Sequence, residues 1–250
     1  MWLNLFIICT LGFLAAAVDA IAGGGGLLSL PALLMVGVPP HLALGTNKFA
    51  ASMASLNSSI TFARSGKVNI TLVKWQIPFT LIGAFLGAWA VLGVSSAFLS
   101  KAVLVLILLV GIYTLLHKNL GMENKFQGLN SHNIFAGCLF ALALGFYDGF
   151  FGPGTGSFLI FSFIALFGFD FVAASANSKV LNFTSNFAAL LIFAWNGKIF
   201  LAYGIPMAVF MILGSYFGTK LALHRGAALI KPIFITMSLL VAVKLLYQYV

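Results

Sequence analysis

The sequence predicts an all-α polytopic membrane protein built from two inverted repeats of about five hydrophobic segments each, with broken or re-entrant helices at glycine-rich motifs. Three observations lead to this fold class. The 250-residue chain is 62% hydrophobic and only 7% charged, whereas a soluble domain typically has about 25% charged residues. Its apolar segments form two sets of five. Its few polar motifs occur twice.

Three short motifs of the first half return in the second half in the same order. The pairs are Asp19–Gly26 with Asp148–Gly156, Gly45–Lys48 with Ala176–Lys179, and Ala63–Val68 with Ala194–Ile199. An acid, a glycine-rich break and a lysine, all duplicated within very apolar sequence, are typical of a transporter whose site lies between two repeats.

The apolar segments of the two halves correspond in order. They are Leu3–Ile21, Leu27–Val36, Leu42–Ala63, Leu72–Leu92 and Phe98–Leu116 in the first half, and Ile134–Tyr147, Phe158–Phe169, Val172–Ala194, Phe200–Leu223 and Ile233–Tyr249 in the second. A spanning helix needs about 20 apolar residues, and the second segment of each half is too short. Because this segment directly follows the glycines, we predict a broken or re-entrant helix, which is tolerated at membrane depth when it packs in protein or lines a cavity.

The long polar stretch between the halves runs from His117 to Asn133. We interpret it as a loop and not as a domain. The predicted organisation is a first membrane repeat at residues 1–118, a cytoplasmic connecting loop at 119–132 and a second membrane repeat at 133–250. Together they form one integral membrane domain.

The net charge of +9 comes from 13 Lys and Arg residues against four acids. We interpret the excess as loop charge that orients a membrane protein, and we expect no nucleic-acid partner. Three loops that share one side carry Arg64, Lys67 and Lys74; Lys118 and Lys125; and Lys220, Arg225 and Lys231. The opposite side keeps Lys101, Lys198 and Lys244. The positive-inside rule then places the central loop in the cytoplasm and both termini outside.

Two lysines, Lys48 and Lys179, lie deep inside apolar segments. Lys48 comes about nine residues after Pro39, which in a helix is roughly 13 Å. An ammonium at such depth is costly and is rarely kept without a partner. It either snorkels to the interface or faces a polar site. Polar neighbours favour the site: Thr46, Asn47, Ser52, Ser55, Asn57, Ser58 and Ser59 in one copy, and Ser175, Asn177, Ser178, Asn182, Thr184, Ser185 and Asn186 in the other.

These features predict a binding site for a small anionic substrate. Its predicted members are Lys48, Lys179, Asn47, Asn177, Thr46, Ser178, Gly24, Gly25, Gly154 and Gly156. The glycines can expose backbone N–H groups at the start of a half-helix, where an anion is stabilised, and they also permit tight turns. Asp19 and Asp148 are either proton carriers or structural partners, as salt bridges to the lysines or caps of the next half-helix.

Signatures of catalysis and of nucleotide binding are absent from the sequence. It contains no G-x-x-x-x-G-K-[ST], H-E-x-x-H or G-x-S-x-G motif, and no C-x-x-C spacing for a metal. We therefore expect no enzyme activity, no cofactor and no metal. Any driving force must come from an ion gradient or from the gradient of the substrate.

The run Asp19–Pro31, followed by Gly45–Lys48, resembles the TauE/SafE family of bacterial membrane proteins, the sulfite exporter group. The run Gly145–Ser157 resembles the second copy of the same motif in that family. The resemblance covers essentially the whole chain. It implies a multi-pass protein of the bacterial inner membrane that transports anions such as sulfite, thiosulfate or organosulfonates.

We therefore expect a secondary transporter of a small anion, with a sulfur oxyanion or organosulfonate as the favoured substrate. A passive anion channel and a membrane-embedded enzyme remain alternatives. Besides the anion and the lipid bilayer, a second copy is a possible partner. Gly83-x-x-x-Gly87 and Gly214-x-x-x-Gly218 let helix backbones approach closely, either inside the protein or at a homodimer face.

The loop charges generate a prediction about topology. Single cysteines placed at Gln127 and at Val250, in a variant lacking Cys9 and Cys138, should react with an impermeant thiol reagent from opposite sides of the membrane, because the central loop and the C-terminus should lie on opposite sides. Labelling of both positions from the same side would contradict the inverted arrangement.

Overall fold

A computed structural model describes residues 2–96, 98, 123–126 and 128–225. Over these residues the regular structure is entirely helical and consists of eight helices. They are α1 (Trp2–Ala22), α2 (Gly26–Met35), α3 (Pro40–Arg64), α4 (Ile70–Leu92), α5 (Ser131–Phe150), α6 (Thr155–Phe167), α7 (Phe171–Trp195) and α8 (Leu201–Arg225). Apart from Phe98, the predicted fifth segment of each half lies outside the described residues.

The two halves show the same succession of helices. A helix of 21 or 20 residues is followed by a short one of 10 or 13 residues and then by two of 23 to 25 residues. By length and composition α1, α4, α5 and α8 can each cross a membrane. The prediction of an all-α, multi-pass membrane protein is confirmed, and each short second segment is a separate short helix. The inverted relation of the halves stays a prediction.

Glycine forms both helix breaks. Between α1 and α2, Gly23 has φ +80°, and between α5 and α6, Gly152 and Gly154 have φ +101° and +84°. Residues with a side chain rarely adopt this left-handed conformation. The chain can therefore stop one helix and start the next within a few residues.

The two breaks contact each other across the halves. The Ser157 amide donates to the Gly23 carbonyl at 3.0 Å, and its hydroxyl donates to the Ala22 carbonyl at 3.1 Å. A Cβ atom on Gly23 would clash with the backbone of Gly156. The first turn of α6 thus satisfies carbonyls at the end of α1 that have no partner within their own helix.

The halves interlock, because α4 packs most extensively on α5 and α1 on α8. Both predicted small-residue pairs lie in these interfaces. A Cβ atom on Gly83 or Gly87 would clash with carbonyls of Leu142 or Phe146, and one on Gly214 or Gly218 with carbonyls of Phe13 or Ala17. The structure therefore uses both pairs for internal packing. The homodimer stays a prediction.

Helices α3 and α7 lie at the centre and pack on each other. Their polar side chains are buried, including Ser52, Ser58, Asn182 and Ser185. The outer helices instead expose large apolar groups, such as Ile82, Phe85, Leu86 and Trp89 of α4. This polar interior and apolar exterior match a lipid environment, in which backbone and side-chain polar groups must be satisfied inside the protein.

The close helix contacts generate a stability prediction. Gly83→Ala and Gly214→Ala should each lower the free energy of unfolding by about 1–3 kcal/mol, because the new Cβ atom forces two backbones apart. Gly93→Ala is the control: its φ is −79° and its Cβ atom would meet only the Ala90 carbonyl, at 3.5 Å. Thermal unfolding in detergent measures the difference. Equal melting temperatures for Gly83→Ala, Gly214→Ala and Gly93→Ala would contradict the assignment of these contacts.

Candidate functional site

Two ion pairs cross between the halves at the centre of the molecule. Lys48 Nζ of α3 lies 2.9 Å from Asp148 Oδ1 of α5. Lys179 Nζ of α7 lies 2.6 Å from Asp19 Oδ2 of α1. The two lysines are 1% and 0% exposed, so neither snorkels to the surface. Each lysine is thus neutralised by the aspartate of the opposite half.

The Lys48–Asp148 pair is buried, and each of its two residues also bonds to a further polar side chain. Asn186 Oδ1 accepts from Lys48 Nζ at 3.1 Å, and the Ser185 hydroxyl donates to Asp148 Oδ2. The Asn186 amide nitrogen donates to the Asn182 carbonyl at 2.7 Å, which fixes the orientation of that side chain. A buried ion pair is retained when further hydrogen bonds satisfy its remaining lone pairs and protons. This pair meets that condition.

The Lys179–Asp19 pair is more open. Asp19 Oδ2 accepts from Lys179, and Asp19 Oδ1 accepts from the Gly25 amide at 3.2 Å. The Asp19 side chain is 23% exposed, whereas that of Lys179 is 0% exposed. Asp19 therefore binds both the lysine of the other half and an amide at the start of α2.

A small cavity lies beside both ion pairs. The space available to the centres of water molecules is about 30 Å³, which corresponds to roughly two waters. The predicted site residues Asp19, Gly25, Asn47, Lys48, Asp148 and Gly156 line it, and α1, α2, α3, α5 and α6 all contribute. Both halves therefore build one site.

Two half-helices begin at this cavity. Gly25 and Gly26 stand at the start of α2, and Gly156 stands in the first turn of α6. The N-terminus of a helix carries a partial positive charge, although here the Gly25 amide already donates to Asp19 and the Ser157 amide to the Gly23 carbonyl. The Lys48 side chain adds its ammonium to the same lining. These groups favour an anion.

Asn47 supplies a polar group that has no partner. Its side chain lines the cavity and is 6% exposed, and its Oδ1 atom accepts no hydrogen bond in the described part of the chain. A buried acceptor without a donor is destabilising by about 1–3 kcal/mol. Such a group is expected where water or a ligand supplies the missing donor.

Other predicted members of the site lie outside the cavity lining. The Thr46 hydroxyl oxygen accepts from the Phe200 amide at 2.9 Å, and Asn177 Oδ1 accepts from the Asn69 amide at 2.8 Å. These corresponding bonds hold the chain segments that lead into α8 and α4. The Ser178 hydroxyl donates within its own helix. Gly24, Gly154 and Lys179 also lie outside the lining, although Lys179 reaches the site through Asp19.

The cavity also contains residues that were not predicted as site members: Ser29, Asn182, Asn186 and Met211. Asn182 and Asn186 follow Lys179 at helical spacings of three and seven residues, which place them on one face of α7. That helical spacing from Lys179 is the sequence pattern that could have identified both asparagines as site residues. Ser29 and Met211 lie among apolar neighbours in sequence, and only the fold brings them to the site.

A sequence model of the family described as "Sulfite exporter TauE/SafE" matches residues 8–245. The chain belongs to the TauE/SafE family. Among the described residues, this TauE/SafE protein has no group of three or more His, Cys, Asp and Glu side chains that could hold a metal ion. Its site consists of ion pairs, amides and helix ends.

Curated relatives cover almost the full length of this TauE/SafE chain. A "Probable membrane transporter protein" of Haemophilus influenzae is 41% identical, over 98% of this chain and 95% of the relative. "Probable membrane transporter protein YfcA" of Escherichia coli K12 is 40% identical, over 98% and 91%. "Probable membrane transporter protein YunE" of Bacillus subtilis is 25% identical, over 91% and 89%. No solved structure matches the chain significantly.

The enclosed ion pair generates a prediction. Lys48→Met should lower the free energy of unfolding by about 3–5 kcal/mol, because it leaves the Asp148 charge buried without a partner. The double variant Lys48→Met/Asp148→Leu should recover a large part of that loss. Lys125→Met is the control, since Lys125 and Glu123 are exposed and 3.9 Å apart, and exposed pairs contribute about 0–1 kcal/mol. Additive effects of the two substitutions in thermal unfolding would contradict coupling within the pair.

Proposed function

We propose that this TauE/SafE protein is a secondary transporter that moves a small anion, with a sulfur oxyanion or organosulfonate as the favoured substrate, across the bacterial inner membrane. The membrane fold and the family support transport as the class of function. The description of the family as a sulfite exporter supports the substrate class.

The observation that carries the proposal is the meeting of two half-helix N-termini and the Lys48 ammonium at one central cavity. Transporters with broken helices bind anionic groups in this way, with half-helix N-termini directed at the substrate near the bilayer midplane. The small volume of the cavity, about 30 Å³ for water centres, favours a compact ion over a large solute. A small oxyanion fits these properties.

The balance of charge at the site bears on coupling. Among the described residues, the charged groups at the site are the lysines and aspartates of the two ion pairs, so their opposite charges balance before the substrate enters. An anion that enters a neutral site of low dielectric leaves an uncompensated charge. A proton or another cation must therefore accompany the anion, or a carboxylate must move away. This condition favours a coupled transporter over a passive channel.

Flux into proteoliposomes tests the function. Uptake of radiolabelled sulfite or thiosulfate should be saturable and should respond to an imposed ion gradient. Flux that rises linearly with concentration would indicate a channel, and a chemically altered product would indicate an enzyme. Absence of any protein-dependent flux of sulfite, thiosulfate and sulfoacetate would contradict the proposed substrate class.

Lys48 generates the mutational prediction. Lys48→Ala should weaken binding of sulfite or thiosulfate about tenfold or more, which corresponds to about 1.4 kcal/mol, because the cavity loses its ammonium. Lys48→Arg should also bind weakly, since a planar guanidinium does not replace a compact ammonium in a closed site. The control is Lys67→Ala, which removes an exposed lysine of the α3–α4 loop. Affinities equal to the wild type in folded Lys48→Ala protein would remove Lys48 from the site.

A further inference from the structure

The two crossed ion pairs correspond in sequence but differ in how they are held. We propose that the Asp19 carboxylate occupies the place of the substrate's own anionic group, and that the transported anion displaces it from Lys179 and from the start of α2. This inference rests on the proposed function and specifies its binding step. It gives the two aspartates different roles.

The contacts of Asp19 are those that a bound oxyanion would make. One carboxylate oxygen accepts from the Lys179 ammonium at 2.6 Å and the other from the Gly25 amide at 3.2 Å. The donors belong to opposite halves of the protein. The carboxylate also lines the cavity and is 23% exposed. A solute that enters the cavity can therefore reach a group that already satisfies both donors.

Asp148 is unsuited to the same role. Its side chain is 2% exposed, and it binds both the Lys48 ammonium and the Ser185 hydroxyl. Asn186 holds Lys48 in addition. Each aspartate accepts two hydrogen bonds, but the bonds of Asp148 are to side chains that are themselves buried and held, and its own side chain is 2% exposed against 23% for Asp19. The Lys48–Asp148 pair is thus the fixed pair of the site.

The sequence itself encodes this difference. When Lys48 is aligned with Lys179, Ser185 falls opposite Ala54 and Asn186 falls opposite Ser55. Ala54 has no hydroxyl to donate to Asp19. The Ser55 hydroxyl donates to the Ala51 carbonyl of its own helix, at 2.6 Å. The more open pair therefore lacks both side chains that hold the fixed pair.

The geometry also specifies the anion that replaces Asp19. The two oxygens of one carboxylate now bridge the two donors, so an anion with two similarly spaced oxygens can reproduce both bonds. Carboxylates, sulfonates and sulfite-like oxyanions have such oxygens, whereas a halide presents a single centre. The chemical class is therefore an oxyanion with at least two terminal oxygens, which agrees with the substrate class proposed above.

Displacement changes the ionisation of Asp19. A carboxylate that leaves Lys179 and faces a bound anion in a poorly hydrated cavity is stabilised by taking up a proton. The ionised groups around it are Lys179 on α7, Lys48 on α3 and Asp148 on α5. Helices α2 and α6 have no ionisable side chain, and none from α8 lines the cavity. Asn47 Oδ1, which accepts no hydrogen bond among the described residues, lines the same cavity. One proton then binds with each anion, and for a dianion such as thiosulfate a further cation balances the second charge.

Calorimetry on the purified full-length protein tests this step, with thiosulfate as the probe because it holds no proton near neutral pH. Wild-type protein should take up about one proton for each thiosulfate bound, measured from the dependence of the heat on the buffer. Asp19→Asn should abolish proton uptake and should bind thiosulfate at least about fivefold more tightly, since the internal competitor is neutral. Asp170→Asn is the matched control and should retain proton uptake, because Asp170 lies outside the cavity lining and caps α7 through a bond to the Ala173 amide that asparagine can also accept.

A second variant tests the same step without removing a charge. Ala54→Ser restores the hydroxyl found at Ser185 in the other half, so it should hold Asp19 more firmly and weaken thiosulfate binding. If Asp19→Asn does not fold, the affinity of Ala54→Ser for thiosulfate alone tests whether the anion displaces Asp19. Unchanged affinity in Ala54→Ser, or proton uptake that persists in folded Asp19→Asn, would overturn the displacement of Asp19 and leave the transporter proposal intact. A wild-type protein that binds none of thiosulfate, sulfite and sulfoacetate would contradict the proposed function itself.

Discussion

The crossed pairing of two buried lysines with two aspartates is the interaction on which the rest of the structure depends. A single ammonium in the interior of a membrane protein is unfavourable, and its desolvation is offset only by a well-placed opposite charge. Here that charge always comes from the other half of the chain. Neither half can therefore complete its own charge balance. The interlocked packing of α1 on α8 and α4 on α5 holds the partners together.

Glycine makes this arrangement possible in two different ways. In the outer helix pairs it lets backbones meet, which matters in lipid because association there depends on close packing more than on the hydrophobic effect. At the two breaks it permits the left-handed turns that open the helices at Gly23, Gly152 and Gly154. The breaks bring helix N-termini to the centre of the protein. A polar, partly positive cavity results inside an apolar shell.

The two halves have kept the same plan and diverged in detail. The Lys48–Asp148 pair is reinforced by Ser185 and Asn186, whereas in the Lys179–Asp19 pair the carboxylate is completed by a backbone amide and is 23% exposed. The bonds from Ser185 and Asn186 stabilise the Lys48–Asp148 pair but hold its charges in place. The more exposed Asp19 carboxylate is able to exchange its partners. A transporter needs both properties, and a duplicated chain can assign one to each ion pair.

The sequence alone determined the class of structure, because hydrophobic segment length and glycine-rich interruptions act locally. It predicted α2 and α6 as short helices that follow a break. It also predicted the duplicated Asp and Lys as paired or functional groups. Tertiary structure decided which aspartate meets which lysine, since partners far apart in the chain have no local pattern. It also separated sequence neighbours that had been predicted together as site residues. Asn47 lines the cavity, whereas Thr46 and Asn177 bind loop amides instead, because a residue's neighbour in sequence lies about 100° away around its helix and only packing determines which face meets the site.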